Sequence, residues 1–377
     1  GALGGMYASR IRLVSTEKGV GVNLGNLTAR QGDITLDANG KMVVKETLAS
    51  SALTAKGDSV TLSGSHKAGG DMAVTAAQDV ALNNATLAAD GRLTLSGNGS
   101  TTLTGSSLTS GGDMAIAGKQ LTSDAASQAN AAGNVTLKAQ TLTQQGTLTT
   151  GGDANITADS LDNRGSVAAK GGLTASTTSL NNSGTLQGKT LGISGDSVQN
   201  NGTLAADGLL RVDAGTLTAG ADSTVTGKAD VALTARTRAD LNGRVNAGNL
   251  LAVTAGDLQT RQNAQLQSGS NMTLAASRSA TLNGTQAAKG ALGVTAHTLS
   301  HGGKSSAGSI TFSAPEGISN SGTLVADTLT LDGVHITNSG LLQGTQALNL
   351  QTGQLDNLTG GTLYSAHDLT LAIPQLN

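Results

Sequence analysis

Apolar and polar residues alternate in short runs along this chain, and the runs themselves repeat. GGDMAVTA at 69–76 returns as GGDMAIAG at 111–118, AGNVTLKA at 132–139 and GGDANITA at 151–158. The last apolar residue of each copy forms a series: Val74, Leu95, Ile116, Leu137, Ile156, Ala175, Ile193, Val212, Leu233, Val253, Leu274, Val294, Phe312, Leu331, Leu350 and Leu371. Successive members lie 18 to 21 residues apart, a period of about 20. Inside each copy the apolar positions are two apart, as at Leu93 and Leu95 or Leu329 and Leu331. That spacing is the signature of a strand with one face inward. Gly, Asn, Asp and Ser separate the strands.

A period near 20 with about three short strands per period predicts an all-β chain. The expected fold is a right-handed parallel β-helix, its hand set by the rule for parallel crossovers. Each coil then presents its inward side chains to those of the next, about 4.8 Å away. Leu, Val and Ile stack well on copies of themselves, which explains a core without bulky residues. Residues 1–64 are less regular, because Leu36, Val44, Leu53 and Leu62 do not keep the step, and are read as an opening stretch of the helix. Residues 65–377 are read as its regular part. Pro374 cannot donate to a further rung, and neither end shows a polar cap, so a piece of a longer stack is expected.

A second motif recurs with the same period. Asn163-x-Gly165, Asn182-x-Gly184, Asn200-x-Gly202, Asn320-x-Gly322 and Asn338-x-Gly340 mark one corner. The glycine is expected to supply positive φ there, and the five asparagines to form an inward amide ladder. Three residues before the reference position run Asp71, Arg92, Asp113, Asn134 and Asp153. That outer column interleaves its charges, as stacked neighbours should.

Composition narrows the function. Of 377 residues 53 are Gly, none is Cys or Trp, and 1% are aromatic, while the net charge is −2. No charge field recruits nucleic acid, no apolar run is long enough to span a bilayer, and no secretory leader pattern opens the chain. Without cysteine there is neither a disulfide framework nor a thiolate metal site. His297 and His301, four apart on a strand and turn, do not share a face, so they and His66, His335 and His367 are read as structural or solvated. The GGD copies suit turns better than calcium, since Arg92 fills an equivalent slot. Sugar-cleaving β-helices need clustered carboxylates and aromatic platforms, which are missing here. We therefore expect no enzyme, no catalytic residue, no metal and no cofactor. The densest cationic patch, Arg236, Arg238 and Arg244, is the candidate for contact with an anionic glycan.

YASRIRLVSTEKGVGV at 7–22, QGDITLDANGK at 31–41 and the recurrent xLxNxGTLxA pattern resemble the filamentous-haemagglutinin-type exoproteins, which include contact-dependent growth inhibition effectors. The resemblance covers essentially the whole chain. It implies a secreted protein of the Gram-negative outer-membrane surface, exported by an outer-membrane two-partner secretion transporter. A cysteine-free chain suits such export, because no disulfide can form before threading. The family's secretion domain carries an NPNL-type motif, and neither Pro315 nor Pro374 follows an Asn, so that domain is not in this sequence. The implied role is a monomeric shaft that projects receptor-binding and toxin regions lying elsewhere. The alternative is a solenoid that is itself an adhesin.

Overall fold

The computed structural model describes residues 3–373. Among them are forty strands and no helix. The chain divides into two compact units, Gly1–Lys189 and Thr190–Asn377. In each the strands pair in parallel with the strand one coil away, and the β-solenoid makes about 19 turns in all. In the first unit Leu95 pairs with Ile116 and Ile116 with Leu137, and Leu137 pairs with Ile156. A coil such as 114–131 has three straight runs. Two lie within the strand Met114–Ser123, separated by a break in the ladder, and the third is Gln128–Ala131.

Alternation sets what is buried. The strand Ala154–Asn163 buries Ala154, Ile156, Ala158, Leu161 and Asn163 and turns the residues between them outward. The same columns continue down the first unit as Leu93, Met114, Val135, Ala154 and Leu173. In the second unit Leu191, Leu210, Val231, Leu251 and Met272 form the equivalent column. Each full burial of such an aliphatic side chain contributes about 2 kcal/mol, and every coil adds several. Within each unit the core is thin and runs from coil to coil.

The reference series is buried from Val74 to Leu350. Leu371 pairs with Leu350 yet is 44% exposed. Pro374 lies outside the described residues. In residues 1–64 the four positions that break the step belong to different columns. Leu36 leads through Ala55 to Val74, Leu53 stacks under Met72, and Val44 leads through Leu62 to Leu82.

The Asn-x-Gly corners differ from expectation in one respect. The glycines with positive φ among the described residues are Gly19, Gly64, Gly105, Gly317 and Gly360, none of them in that motif. What excludes a side chain there is close stacking of backbones. A β carbon built on Gly184 would lie 2.0 Å from the Gly165 carbonyl oxygen, and one on Gly340 would lie 2.0 Å from that of Gly322.

Candidate functional site

The buried asparagines do two jobs at once. Asn320 Oδ1 accepts from the Gly322 N–H (3.1 Å), and its Nδ2 donates to the Gly322 carbonyl (3.1 Å) and to Asn338 Oδ1 (2.9 Å). Asn338 repeats this on Gly340 and passes its amide on to Asn357 Oδ1 (2.9 Å). In the first unit Asn163 Nδ2 donates to Asn182 Oδ1 (2.8 Å), while Asn163 Oδ1 is buried without a partner. Asn200, in the second unit, accepts from the Gly202 N–H (3.1 Å) and donates to the Thr224 carbonyl (3.3 Å). At Asn182, Asn200, Asn320 and Asn338 a bond to the corner glycine fixes which end of the amide is which, so these orientations are not interchangeable.

The acidic column has a use the sequence did not suggest. Asp71, Asp113, Asn134 and Asp153 each accept the backbone N–H of the matching residue one coil on, at 2.8 to 2.9 Å. The oxygen passes over the preceding glycine. A β carbon at Gly91 would stand 2.2 Å from Asp71 Oδ1, and one at Gly171 would stand 2.1 Å from Asp153 Oδ1. Where that residue is not glycine it joins the bond. Asn249 Nδ2 donates to Asp230 Oδ1 (2.8 Å), and the Ala52 N–H, joined by the Ser51 side chain, holds Asp33 below the usual carboxylate range. GGD is thus an interlock between coils.

The histidines separate by burial. His297 and His367 are exposed, and His335 is half-buried beside Asp356 (2.7 Å). His66 and His301 are fully buried. Burial lowers both to about 4, against smaller opposing hydrogen bonds. No group of three metal-ligating side chains occurs among the described residues.

The arginines of the candidate glycan contact are divided between two strands. Arg236 and Arg238 lie on the strand Val231–Leu241, whereas Arg244 opens the next strand, Arg244–Ala247. Arg236 reaches Asp196 (3.5 Å), and Arg238 bonds Gln259 and approaches Asp240 (3.7 Å). Arg261 and Arg278 join the same surface, on Asp240 and Asp257. Exposed pairs of this kind add little stability, but they spread the charge over several coils. A shallow groove of about 330 Å³ lies elsewhere, where Gly317 leaves a notch between Thr298 and His335. Hydroxyls line it, and its rim carries Glu316, with no aromatic platform.

The haemagglutinin-repeat family matches residues 2–139, 130–191, 185–243, 242–333 and 305–372. The chain belongs to the haemagglutinin-repeat family. Relatives include a tRNA nuclease CdiA of Escherichia coli (strain NC101), 56% identical over 152 residues, which are 40% of this chain and 5% of that protein. A 16S rRNA endonuclease CdiA of Enterobacter cloacae subsp. cloacae is 44% identical over 140 residues, 37% of this chain and 4% of its own length. A tRNA nuclease CdiA of Yersinia mollaretii is 55% identical over 87 residues, 23% of this chain and 3% of its own. The matched stretch is thus a small part of each of these relatives. No solved structure matches.

Within this haemagglutinin repeat the inward polar column is longer than its Asn-x-Gly motif. Ser123 and Gln144 precede Asn163 in register, and His301 precedes Asn320. The signal was the glycine two residues on, present at Gln144-x-Gly146 and His301-x-Gly303 as at the asparagines. Gln286 and Ser305, which sit among leucines on the third face, carried no such mark.

Proposed function

We propose that this stretch is a shaft segment of a secreted exoprotein on the Gram-negative outer-membrane surface. It holds receptor-binding and effector regions of the parent away from the cell, and the parent leaves through an outer-membrane two-partner secretion transporter. The observation that carries the reading is the coil-to-coil interlock. Inward apolar columns, corner amides and the Asp-over-Gly contacts all join one coil to the next. A chain built this way can fold progressively as it emerges, each coil needing only its neighbour. The buried asparagine corners act as structural ladders in this scheme. Residues 1–64 serve as the opening coils and 65–377 as the regular shaft.

The relatives are named as nucleases, and the matched stretch is 3–5% of each of them. This segment acts mechanically and not as an enzyme. The competing reading makes the solenoid itself an adhesin that meets a glycan through Arg236, Arg238 and Arg244. Engagement of Arg236 and Arg238 with carboxylates, and the separate placing of Arg244, count against it. Flow cytometry separates the two. The labelled chain should bind bacterial and epithelial cells no better than an unrelated β-helix of equal charge. Saturable binding above that control, lost in an Arg236→Ser, Arg238→Ser, Arg244→Ser variant, would establish the adhesin instead.

A further inference from the structure

The second unit contains a buried polar chain that crosses its apolar core. Gln286 Nε2 donates to Thr260 Oγ1 (2.9 Å), and Ser305 Oγ donates to Gln286 Oε1 (2.7 Å). His301 Nε2 lies 2.8 Å from Ser305 Oγ, and His301 Nδ1 lies 2.7 Å from Asn320 Oδ1, from which the chain continues to Asn338. All six side chains are at most 2% exposed. The positions are not interchangeable with the rest of their columns. Leu282 stands directly before His301, and Leu266 and Leu324 flank Gln286 and Ser305. Polar residues therefore replace leucines on two faces at the same coils, facing one another across the core.

Proton counting gives this chain a direction. The Gly322 N–H and carbonyl fix the Asn320 amide, so its Oδ1 faces His301 and Nδ1 carries a proton. At the other nitrogen, Ser305 has a single proton. While it is spent on Gln286 Oε1, Nε2 can meet Oγ only as a donor, which is the bonding of an imidazolium. Turning the Gln286 amide end for end reverses the polarity. Gln286 Nε2 then donates to Ser305 Oγ, Ser305 donates to His301 Nε2, and Thr260 donates to Gln286 Oε1. That arrangement satisfies a neutral ring.

We propose that His301, Ser305, Gln286 and Thr260 form an acid-sensitive joint in this unit. Its hydrogen-bond direction reverses when His301 takes up a proton, and the surrounding coils then open more easily. No charge nearby can hold the imidazolium. Arg278, Lys289, His297, Lys304, Glu316, Asp327 and Asp332 on the packed elements are exposed, and His335 points into the outer groove. The ring's tilted contact with Phe312, at 5.6 Å between centroids and 58°, adds no full charge. Burial accordingly pushes the ring down to about 4 from 6.5. The unfolded chain binds the proton first as pH falls, so stability contributed by neutral His301 is complete above about 6.5. It is lost progressively between 6.5 and 4.

The test compares the full chain with His301→Asn, which continues the Asn320 and Asn338 pattern, in urea unfolding at pH 7.5 and 4.5. On acidification the unfolding constant of the parent should rise roughly 70-fold more than that of the variant. Equal pH dependence of the two would overturn the joint. Ring-nitrogen NMR of histidine-labelled parent protein decides even if the variant does not fold. At pH 7.5 His301 should show a proton on Nδ1 alone, with Nε2 acquiring one only near pH 4. A ring doubly protonated at pH 7.5, or one titrating near 6.5, would equally refute it.

Discussion

Gly322 stacks over Gly303 so closely that a β carbon on it would lie 2.0 Å from the Gly303 carbonyl oxygen. The contact is backbone against backbone, so no side-chain rearrangement can relieve it. Gly293, in the same unit, has nothing within 4 Å of its hypothetical β carbon. Gly322→Ala should therefore destabilise the second unit by about 3 kcal/mol, the upper range for overpacking. Gly293→Ala should be neutral or stabilise by about 0.5 kcal/mol, because it lowers the entropy of the unfolded chain. Urea midpoints of the two variants provide the comparison. Equal losses would mean that the corner can open to admit a methyl group.

The buried amides invite a separate experiment. Leu282 occupies the ladder column one coil before His301, and Leu241 precedes Thr260 in it, so a leucine fits that space. Asn338→Leu keeps the branched shape while removing the acceptor of the Gly340 N–H and of Asn320 Nδ2, and the donor to Asn357. Orphaned buried donors cost more than the added apolar contact returns. A loss of about 2 kcal/mol is expected by chemical denaturation, with faster amide exchange at Gly340. A variant as stable as the parent would show that the ladder adds no net stability.

How far the sequence foretold this depends on which physical rule was local. The strand alternation and the 20-residue step follow from side chains near in sequence, so the fold and the inward series from Val74 to Leu350 were legible. The step before Val74 was obscured because Leu36, Val44 and Leu62 come from two different columns. Nothing in one strand says which column it feeds. Turn statistics suggest positive φ at the Asn-x-Gly corner, whereas the constraint there is a carbonyl one coil away. Gln286 and Ser305 look like ordinary polar strand residues. Only the register that places them across the core from His301 gives them meaning.

The Asp-over-Gly interlock predicts which substitutions its column tolerates. Asn134 accepts the Asp153 N–H at 2.8 Å just as Asp113 accepts the Asn134 N–H at 2.9 Å. The bond thus requires an oxygen at that position and no charge. Asp113→Asn should leave stability within about 0.5 kcal/mol, whereas Asp113→Ala should lose about 1 kcal/mol with the hydrogen bond. Thermal unfolding of the two variants reads the difference. A larger loss for Asn than for Ala would return the role of the column to charge.

His66 supplies an independent pH dependence in the first unit. Its ring is fully buried, with Thr47 Oγ1 2.8 Å from Nδ1 and the Ser63 carbonyl 2.8 Å from Nε2. The carbonyl can only accept, so Nε2 carries the proton and Thr47 donates to Nδ1 in the neutral form. Burial lowers the ring to about 4 from 6.5. The unfolded state therefore binds more protons between those values, and stability must fall as pH falls through that window, levelling off below about 4. At pH 4.5 the loss is about 2.5 kcal/mol relative to pH 7.5. His66→Leu should remove this slope, since Leu87 shows that the column accepts leucine. Amide exchange in the strand Ser59–Ala68, followed across the same pH range in parent and variant, distinguishes this site from His301. An unchanged slope in the variant would assign the acid sensitivity of the first unit to its carboxylates.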